Sequence, residues 1–279
     1  MNTRIIVDST VNMSPEFYDM VTVLPMTVRF GDEEYIDGVT ITNEEFYRKL
    51  EQVDTLPTTS QITPDRFAQV FQEVKDAGDE ALVMTIASKL SGTCQSAMIA
   101  AKEFDNIYVV DCENVAVGFG VIAEYAIRLL KEGKSAKEMK EILDRDKKNV
   151  HIIAMVDTLK YLKMGGRISG VVAFAGELLN IKPIVEVYNG EIHQIAKARG
   201  AKMGNQTLIR EIEKVGEVDF TKPVLFGHSG QTDQGIKQFL EDSKDFWQGG
   251  TAPSRSVLMG SVIGTHAGPG IVAIAFYKK

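Results

Sequence analysis

From residue 4 to about residue 150, short apolar runs alternate with segments whose apolar residues recur at helical spacing. No other feature restricts this chain so strongly. RIIVDST (4–10), ALVMTIA (81–87) and IYVVD (107–111) are the clearest runs. Strands that alternate with helices imply crossover connections, and crossovers imply a parallel sheet with helices on its faces. Helix starts are marked locally. Ser14-Pro15-Glu16 supplies a cap, a proline at the first helical position and an acid in the first turn, and Asn43-Glu44-Glu45 opens a helix carrying Phe46, Leu50 and Val53. Further helices are predicted from Pro64 to about Ala77 with Thr63 as cap, from Thr93 to Phe104, and on either side of Gly133-Lys134-Ser135. VTVLPMTVRF (21–30), with GDEE and YIDG after it, reads as a strand and a hairpin. DTLPTTSQITPD (54–65) has no periodicity and is predicted to be loop.

The texture changes after HIIAMV (151–156). KPIVEVYNGEIHQIAKARG contains two strand-like runs joined at Asn189-Gly190, the strongest short hairpin signal. PVLFGH, SVLMG and IVAIAFY add strands, with helices at about 201–215 and 232–243, so antiparallel pairing is expected to dominate. A chain of 279 residues can hold two cores of ordinary size. The expected fold class is therefore α/β with two domains. Residues 1–150 would form an N-terminal α/β/α domain with a mostly parallel sheet, and residues 151–279 a C-terminal α+β domain with a mixed or antiparallel sheet. The last strand is free to cross back to the first domain.

A formal net charge of -7 argues against a nucleic-acid partner, which calls for a concentrated positive field. MNTRIIVDST lacks the pattern of a secretion signal, and no apolar stretch approaches the ~20 residues of a membrane span, so a cytoplasmic protein is expected. Cys94 and Cys112, without CxxC spacing, fit a reducing compartment and support neither zinc nor a disulfide framework. HExxH, EF-hand and P-loop patterns are absent, and no cofactor is expected. GFGVIA (118–123) fits a dinucleotide fingerprint loosely. It lies within a helical pattern, where glycines serve close helix packing instead.

The chemistry-bearing candidates cluster at strand ends. KLSGT (89–93) follows a strand, where ligands of parallel sheets collect, and Ser91 or Thr93 would cap the next helix. The N–H groups of Gly92, Thr93 and Cys94 could then cradle an anion. A plain helix cap explains the same residues equally well. Ser91 lacks the GxSxG setting of a nucleophile elbow, and Cys94 at a helix start is a nucleophile only if a base such as His266 meets it. Thr58, Thr59, Ser60 and Gln61 form a row of uncharged donors suited to a carboxylate. His266 stands in the glycine-rich GTHAGPG (264–270) as a donor to an anion or as a packed histidine. Arg167, beyond Gly165-Gly166, meets a phosphate or a partner, or is an exposed cation past a helix stop. The nearly uncharged VVAFAGELL (171–179) and eleven methionines are compatible with a lipid-sized apolar pocket between the domains.

DSTVNMSPE, TTSQITP, SKLSGTCQSA, LKYLKMGGRIS and GTHAGPG, in this order, resemble the DegV family, the fatty-acid-binding (FakB) subunits of bacterial fatty acid kinase. The resemblance implies that a long-chain fatty acid such as palmitate or oleate lies buried between the two domains. It implies a non-catalytic subunit that presents the acid to a separate ATP-dependent kinase subunit (FakA-like), which makes an acyl phosphate for phospholipid synthesis. It also implies that Thr59, Ser91 and His266 bind the carboxylate, that Ser60, Gly92 and Thr93 lie nearby, and that Arg167 is a contact for the kinase subunit. Cys94 replaces the family's usual aromatic and Ile62 its usual proline, departures expected to alter lipid choice or loop stiffness. The rival expectations are an esterase-like hydrolase using Ser91 or Cys94, and a binding module or sensor for another anionic small molecule.

Overall fold

The computed structural model describes residues 2–169, 180–249 and 256–279; the VVAFAGELL segment lies outside the described residues. In chain order the first part runs β1 (Thr3–Asp8), β2 (Thr22–Leu24), β3 (Thr27–Phe30), β4 (Glu33–Ile36), α1 (Asn43–Leu50), β5 (Thr58–Ser60), α2 (Pro64–Asp76), β6 (Glu80–Thr85), α3 (Thr93–Ala101), β7 (Ile107–Asp111), α4 (Ala116–Lys131) and α5 (Ala136–Asp146). It continues with β8 (Val150–Met155), α6 (Lys160–Met164), β9 (Ile181–Tyr188), β10 (Glu191–Arg199), α7 (Gly200–Val215), β11 (Leu225–His228), α8 (Gln234–Asp242), β12 (Ser256–Leu258), α9 (Ser261–Ala267) and β13 (Val272–Tyr277).

Three sheets result. A parallel sheet has the order β2-β1-β6-β7. A small antiparallel sheet, β4-β3-β5, stands beside it. The third sheet has the order β10-β9-β8-β13-β11-β12 and is antiparallel except between β11 and β12. The terminal strand β13 pairs with β8 and β11 and stays in this third sheet. The fold is α/β, as the alternation of runs predicts.

The period of two along each strand sets the layers. Ile6, Ala81 and Val83 face α2 and α3, packing with Phe67, Phe71 and Ala97. Ile5, Val7 and Leu82 face the other way, toward Phe119 and Ile122 of α4 and Met139 of α5. The same core continues into Ile152, Ala154, Leu225, Ala273 and Tyr277, so α4 is sandwiched between the parallel sheet and the six-stranded one. Beyond it, Ile153, Phe226 and Ile274 pack on Leu208 and Ile212 of α7 and on Ile236 and Phe239 of α8. A helix buried on nearly every side needs apolar residues all round and small ones where backbones meet. A β-carbon on Gly120 would stand 2.0 Å from the carbonyl oxygen of Asn12, and one on Gly118 2.4 Å from Ile152. GFGVIA is helix packing.

Local signals explain the element ends. Thr42 and Glu45 form a capping box at α1, Ser135 and Glu138 another at α5, and Thr63 accepts from the Arg66 N–H ahead of α2. Asn189 (φ 50°) and Gly190 (φ 76°) make the two-residue turn between β9 and β10.

Four elements depart from expectation. Pro15–Met20 is a 3-10 helix with no buried residue, too poorly anchored to lengthen. Residues 21–30 are not one strand. Pro25, which lacks an N–H, separates β2 in the parallel sheet from β3 in the small one. Within the predicted loop 54–65, Thr58–Ser60 pair with Thr27–Arg29 as strand β5; cross-strand hydrogen bonds stabilise a segment too short to show a period. The first part of GTHAGPG is helical, with Thr265 and His266 in the last turn of α9.

Candidate ligand-binding site

The carboxyl end of β6, strand β5, the loop after α6 and the end of α9 converge on one cleft. It contains a cavity of about 170 Å³. Its apolar wall draws on both halves of the chain: Met26, Ile86, Leu90 and Val115 from the first, Leu162, Ile192, Val262 and Ile263 from the second. Thr59, Gln61, Ser91, Gly92, Arg167 and His266 supply the polar lining.

Strand alternation decides which hydroxyl enters. Thr59 is half-buried, while its neighbours Thr58 and Ser60 are exposed. Ser60, beside Thr59 on the same strand, is exposed and does not itself line the cavity. Thr59 Oγ1 and His266 Nε2 share a hydrogen bond of 2.8 Å. His266 Nδ1 is buried and has no hydrogen-bond partner among the described residues. Burial, reinforced by the positive charge of Arg167, pushes the imidazole pKa down to about 4, so the ring is neutral at pH 7. A neutral imidazole has one donor and one acceptor nitrogen. With Nε2 engaged by Thr59, Nδ1 is left with unfilled capacity.

The serine turn differs from expectation in one respect. Gly92, not Ser91 or Thr93, is the N-cap of α3, and no side chain caps that helix. Ser91 Oγ instead lies 3.0 Å from Thr93 Oγ1 and accepts from the Thr93 N–H at 3.3 Å. Thr93 is fully buried beneath the turn and does not line the cavity. Thus Thr59, Ser91, Gly92 and His266 come together, and Ser60 and Thr93 do not join them. Cys94 is also buried, its thiol pKa raised chiefly by burial, and it does not line the cavity. A thiol held protonated is a poor nucleophile. Ser91 bonds Thr93 while His266 bonds Thr59, so neither residue of the esterase expectation has the geometry of an activated nucleophile. Ile62, the other departure from the resemblance, is buried in the core beside α2.

Arg167 turns inward. Its Nε donates to Leu90 O at 3.2 Å and its guanidinium NH1 to Gly165 O at 2.5 Å. It thereby ties the loop after α6 to the serine turn. Gly165 is pressed on the imidazole: a β-carbon there would stand 2.4 Å from His266 Nδ1.

A second buried cluster, missed by the sequence reading, holds these pieces. Asp8, at the end of β1, accepts from Thr10 N (2.9 Å), Thr10 Oγ1 (2.5 Å) and Ile86 N (2.7 Å), and so fixes the point where β6 gives way to the serine turn. Burial raises its pKa to about 6 despite these donors. Asp37 accepts from Ser261 Oγ at 2.6 Å, and Tyr47 donates to Met259 O at 3.0 Å, anchoring the start of α9. Gly264 packs against the rings of Phe46 and Tyr47. DSTVN in the sequence contains Asp8 and its near donor Thr10, but an acid ending a strand gives no sign that a further donor, the Ile86 N–H, lies 78 residues away. Wall residues such as Val262 and Ile263 were equally hidden, because a three-residue strand and a seven-residue helix are too short to show periodicity.

Among the described residues no group of His, Cys, Asp or Glu side chains could hold a metal ion, and no helix is long and apolar enough to cross a membrane.

Fold and cleft define a class: an α/β protein with a cleft lined by apolar side chains and by mostly uncharged polar groups. The chain belongs to the DegV family, whose model, described as "Uncharacterised protein, DegV family", matches residues 2–279. A DegV domain-containing protein of Lactococcus lactis, YteA, is 35% identical over 289 aligned residues, covering 98% of this chain and 97% of that one. Among solved structures, a DegV family protein from Thermus thermophilus, described for its fatty acid binding, is similar with a TM-score of 0.87 and 30% identity over the whole of both chains. A stearic acid-binding protein from Eubacterium ventriosum gives a TM-score of 0.87 at 26% identity, covering 100% of this chain and 99% of that one.

Proposed function

We propose that this protein binds one long-chain fatty acid, such as palmitate or oleate, in the cleft between a domain formed by residues 1–150 and one formed by residues 151–279. It presents the carboxylate to a separate ATP-dependent kinase subunit in the cytoplasm. The carrying observation is that Thr59, Ser91 and a neutral His266 meet at the polar end of an otherwise apolar cavity. The fatty-acid binding described for structures similar over their full length supports the same reading.

The energetics divide the work between tail and head. About 14 methylenes at ~0.8 kcal/mol each gain on the order of 11 kcal/mol on leaving water, before immobilisation costs. Each hydrogen bond to the carboxylate adds roughly 1.5–3 kcal/mol, much of it offset by desolvation. The tail sets affinity and the head group sets orientation. Hydroxyls and a neutral imidazole hold the acid ionised without a bidentate cation, which leaves an oxygen nucleophilic. On the partner, that oxygen attacks the terminal phosphorus of ATP, the phosphorus–oxygen bond to ADP breaks, and acyl phosphate leaves with the carrier for phospholipid synthesis. The protein itself is not the catalyst.

Denaturing the purified protein and extracting it for mass spectrometry is expected to release about one fatty acid per chain; empty extracts from repeated preparations would refute the reading. Thr59→Ala with Ser91→Ala is expected to slow acyl phosphate formation at least tenfold when the kinase subunit and ATP are supplied. An unchanged rate removes both residues from the site.

A further inference from the structure

Thr59 and Ser91 sit on separate, weakly tethered pieces of chain. Thr59 belongs to a three-residue strand that, among the described residues, pairs with β3 alone, and Ser91 to the turn ahead of α3. To grip one carboxylate together, the two hydroxyls must be held to within roughly 0.5 Å. Gln61 lies between them. Its Nε2 donates to Ser96 Oγ at 2.9 Å, and Ser96 is itself buried in α3. Among the described residues, no other side-chain hydrogen bond links 58–63 to 87–96. The other edge of the amide is pressed on Gly92, where a β-carbon would stand 2.0 Å from Gln61 Oε1 and 2.8 Å from its amide carbon. Gly92 has an ordinary φ of -71°, open to any residue, so a side chain there would meet no backbone strain but would displace the Gln61 carboxamide from its present place.

We propose that Gln61 is a positioning residue for the head group: interlocked with Gly92 and bonded to Ser96, its carboxamide sets the spacing of Thr59 and Ser91 that lets them share one carboxylate. The inference rests on the fatty-acid reading above and assigns Gln61 no chemical step. Gln61→Met keeps the length of the side chain and loses the hydrogen bond. Loss of spacing weakens only ligands with an acid head, whereas damage to the wall or to the fold weakens every ligand of equal tail length.

The test compares binding of palmitate and hexadecanol, with thermal unfolding recorded alongside, for the wild type, Gln61→Met, Gly92→Ala, Gln61→Ala and the double variant Gln61→Ala/Gly92→Ala. The expected result is that Gln61→Met and Gly92→Ala each lower palmitate affinity about tenfold and leave hexadecanol within about twofold. The double variant is expected to bind palmitate no more weakly than Gln61→Ala, because the new methyl group enters space the amide has vacated. Should Gln61→Met not fold, Gly92→Ala carries the same readout. Parallel loss of both ligands, unchanged palmitate binding, or additive losses in the double variant overturn the proposal while wild-type binding leaves the fatty-acid reading standing. A wild type that binds no palmitate removes both.

Discussion

Two polar clusters lie within the same join between sheets, and they differ in one respect. Around Asp8 and Asp37, the acids find donors in Thr10, Ile86, Ser9 and Ser261, and the cluster is closed. Around His266, Thr59 takes one ring nitrogen, the other has no partner among the described residues, and the group lines a cavity. Buried polar groups are normally satisfied, so the satisfied cluster reads as scaffold, whereas the group around His266 lines the cavity proposed above to take the ligand. The two are joined. Asp8 holds the start of the serine turn, and Asp37 holds the helix whose far end carries His266.

The largest expected effect breaks the closed cluster. Asp8→Ala leaves three donors without an acceptor and is expected to lower stability by about 3 kcal/mol or more, read as the loss in urea unfolding free energy. A loss below about 1 kcal/mol would show that water or a rearranged loop replaces the carboxylate.

Next comes a contrast in pH dependence. Asp8 has a folded-state pKa of about 6 against an ordinary 3.8, so its contribution to stability is complete below about 4 and is lost as pH rises through 6. His266 has a folded-state pKa of about 4 against 6.5, so its contribution is complete above 6.5 and is lost as pH falls through 4. Each is worth up to about 3 kcal/mol, and in the wild type the two slopes oppose. Asp8→Asn is expected to make stability rise more steeply with pH between 4 and 6.5. His266→Gln is expected to make it fall over the same window. Identical urea midpoint profiles for the two variants would erase the distinction between the clusters.

A smaller effect sharpens the open cluster. Gly165→Ala places a methyl against His266 Nδ1 and is expected to move the ring off Thr59, lowering fatty-acid affinity about tenfold, roughly 1.4 kcal/mol. Titration calorimetry reads it directly. Smallest of all, Ser60→Ala on the exposed side of β5 is expected to change stability and affinity by less than about 0.5 kcal/mol. A larger loss would return Ser60 to the site.

Much of the scaffold was legible because its signals are local. The fully buried pattern of β6, the capping boxes at Thr42 and Ser135, the Asn189-Gly190 turn and the packing glycines of α4 each depend on residues close in sequence. The site was legible in part. Runs of uncharged donors at a strand end and a histidine among glycines marked Thr59, Ser91, Gly92 and His266, which the fold brings together. That Thr59 and not Ser60 lines the cavity was not legible, because alternation along a strand cannot be applied to a segment read as loop. Arg167 was read as meeting a phosphate or a partner, or as an exposed cation; its bonds to the Leu90 and Gly165 carbonyl groups were not legible, because no sequence pattern announces a carbonyl acceptor.

The sequence by itself determined the class of fold, the Asn189-Gly190 turn, the Thr63 cap and which residue types gather near the cleft, since propensity, period and capping act over a few residues. Tertiary structure alone decided that Pro25 divides a strand between two sheets, that Thr58–Ser60 pair at all, that Asp8 reaches Ile86 and that Gln61 meets Gly92. Those contacts join segments distant along the chain, and their energies exist only once the sheets and helices have packed.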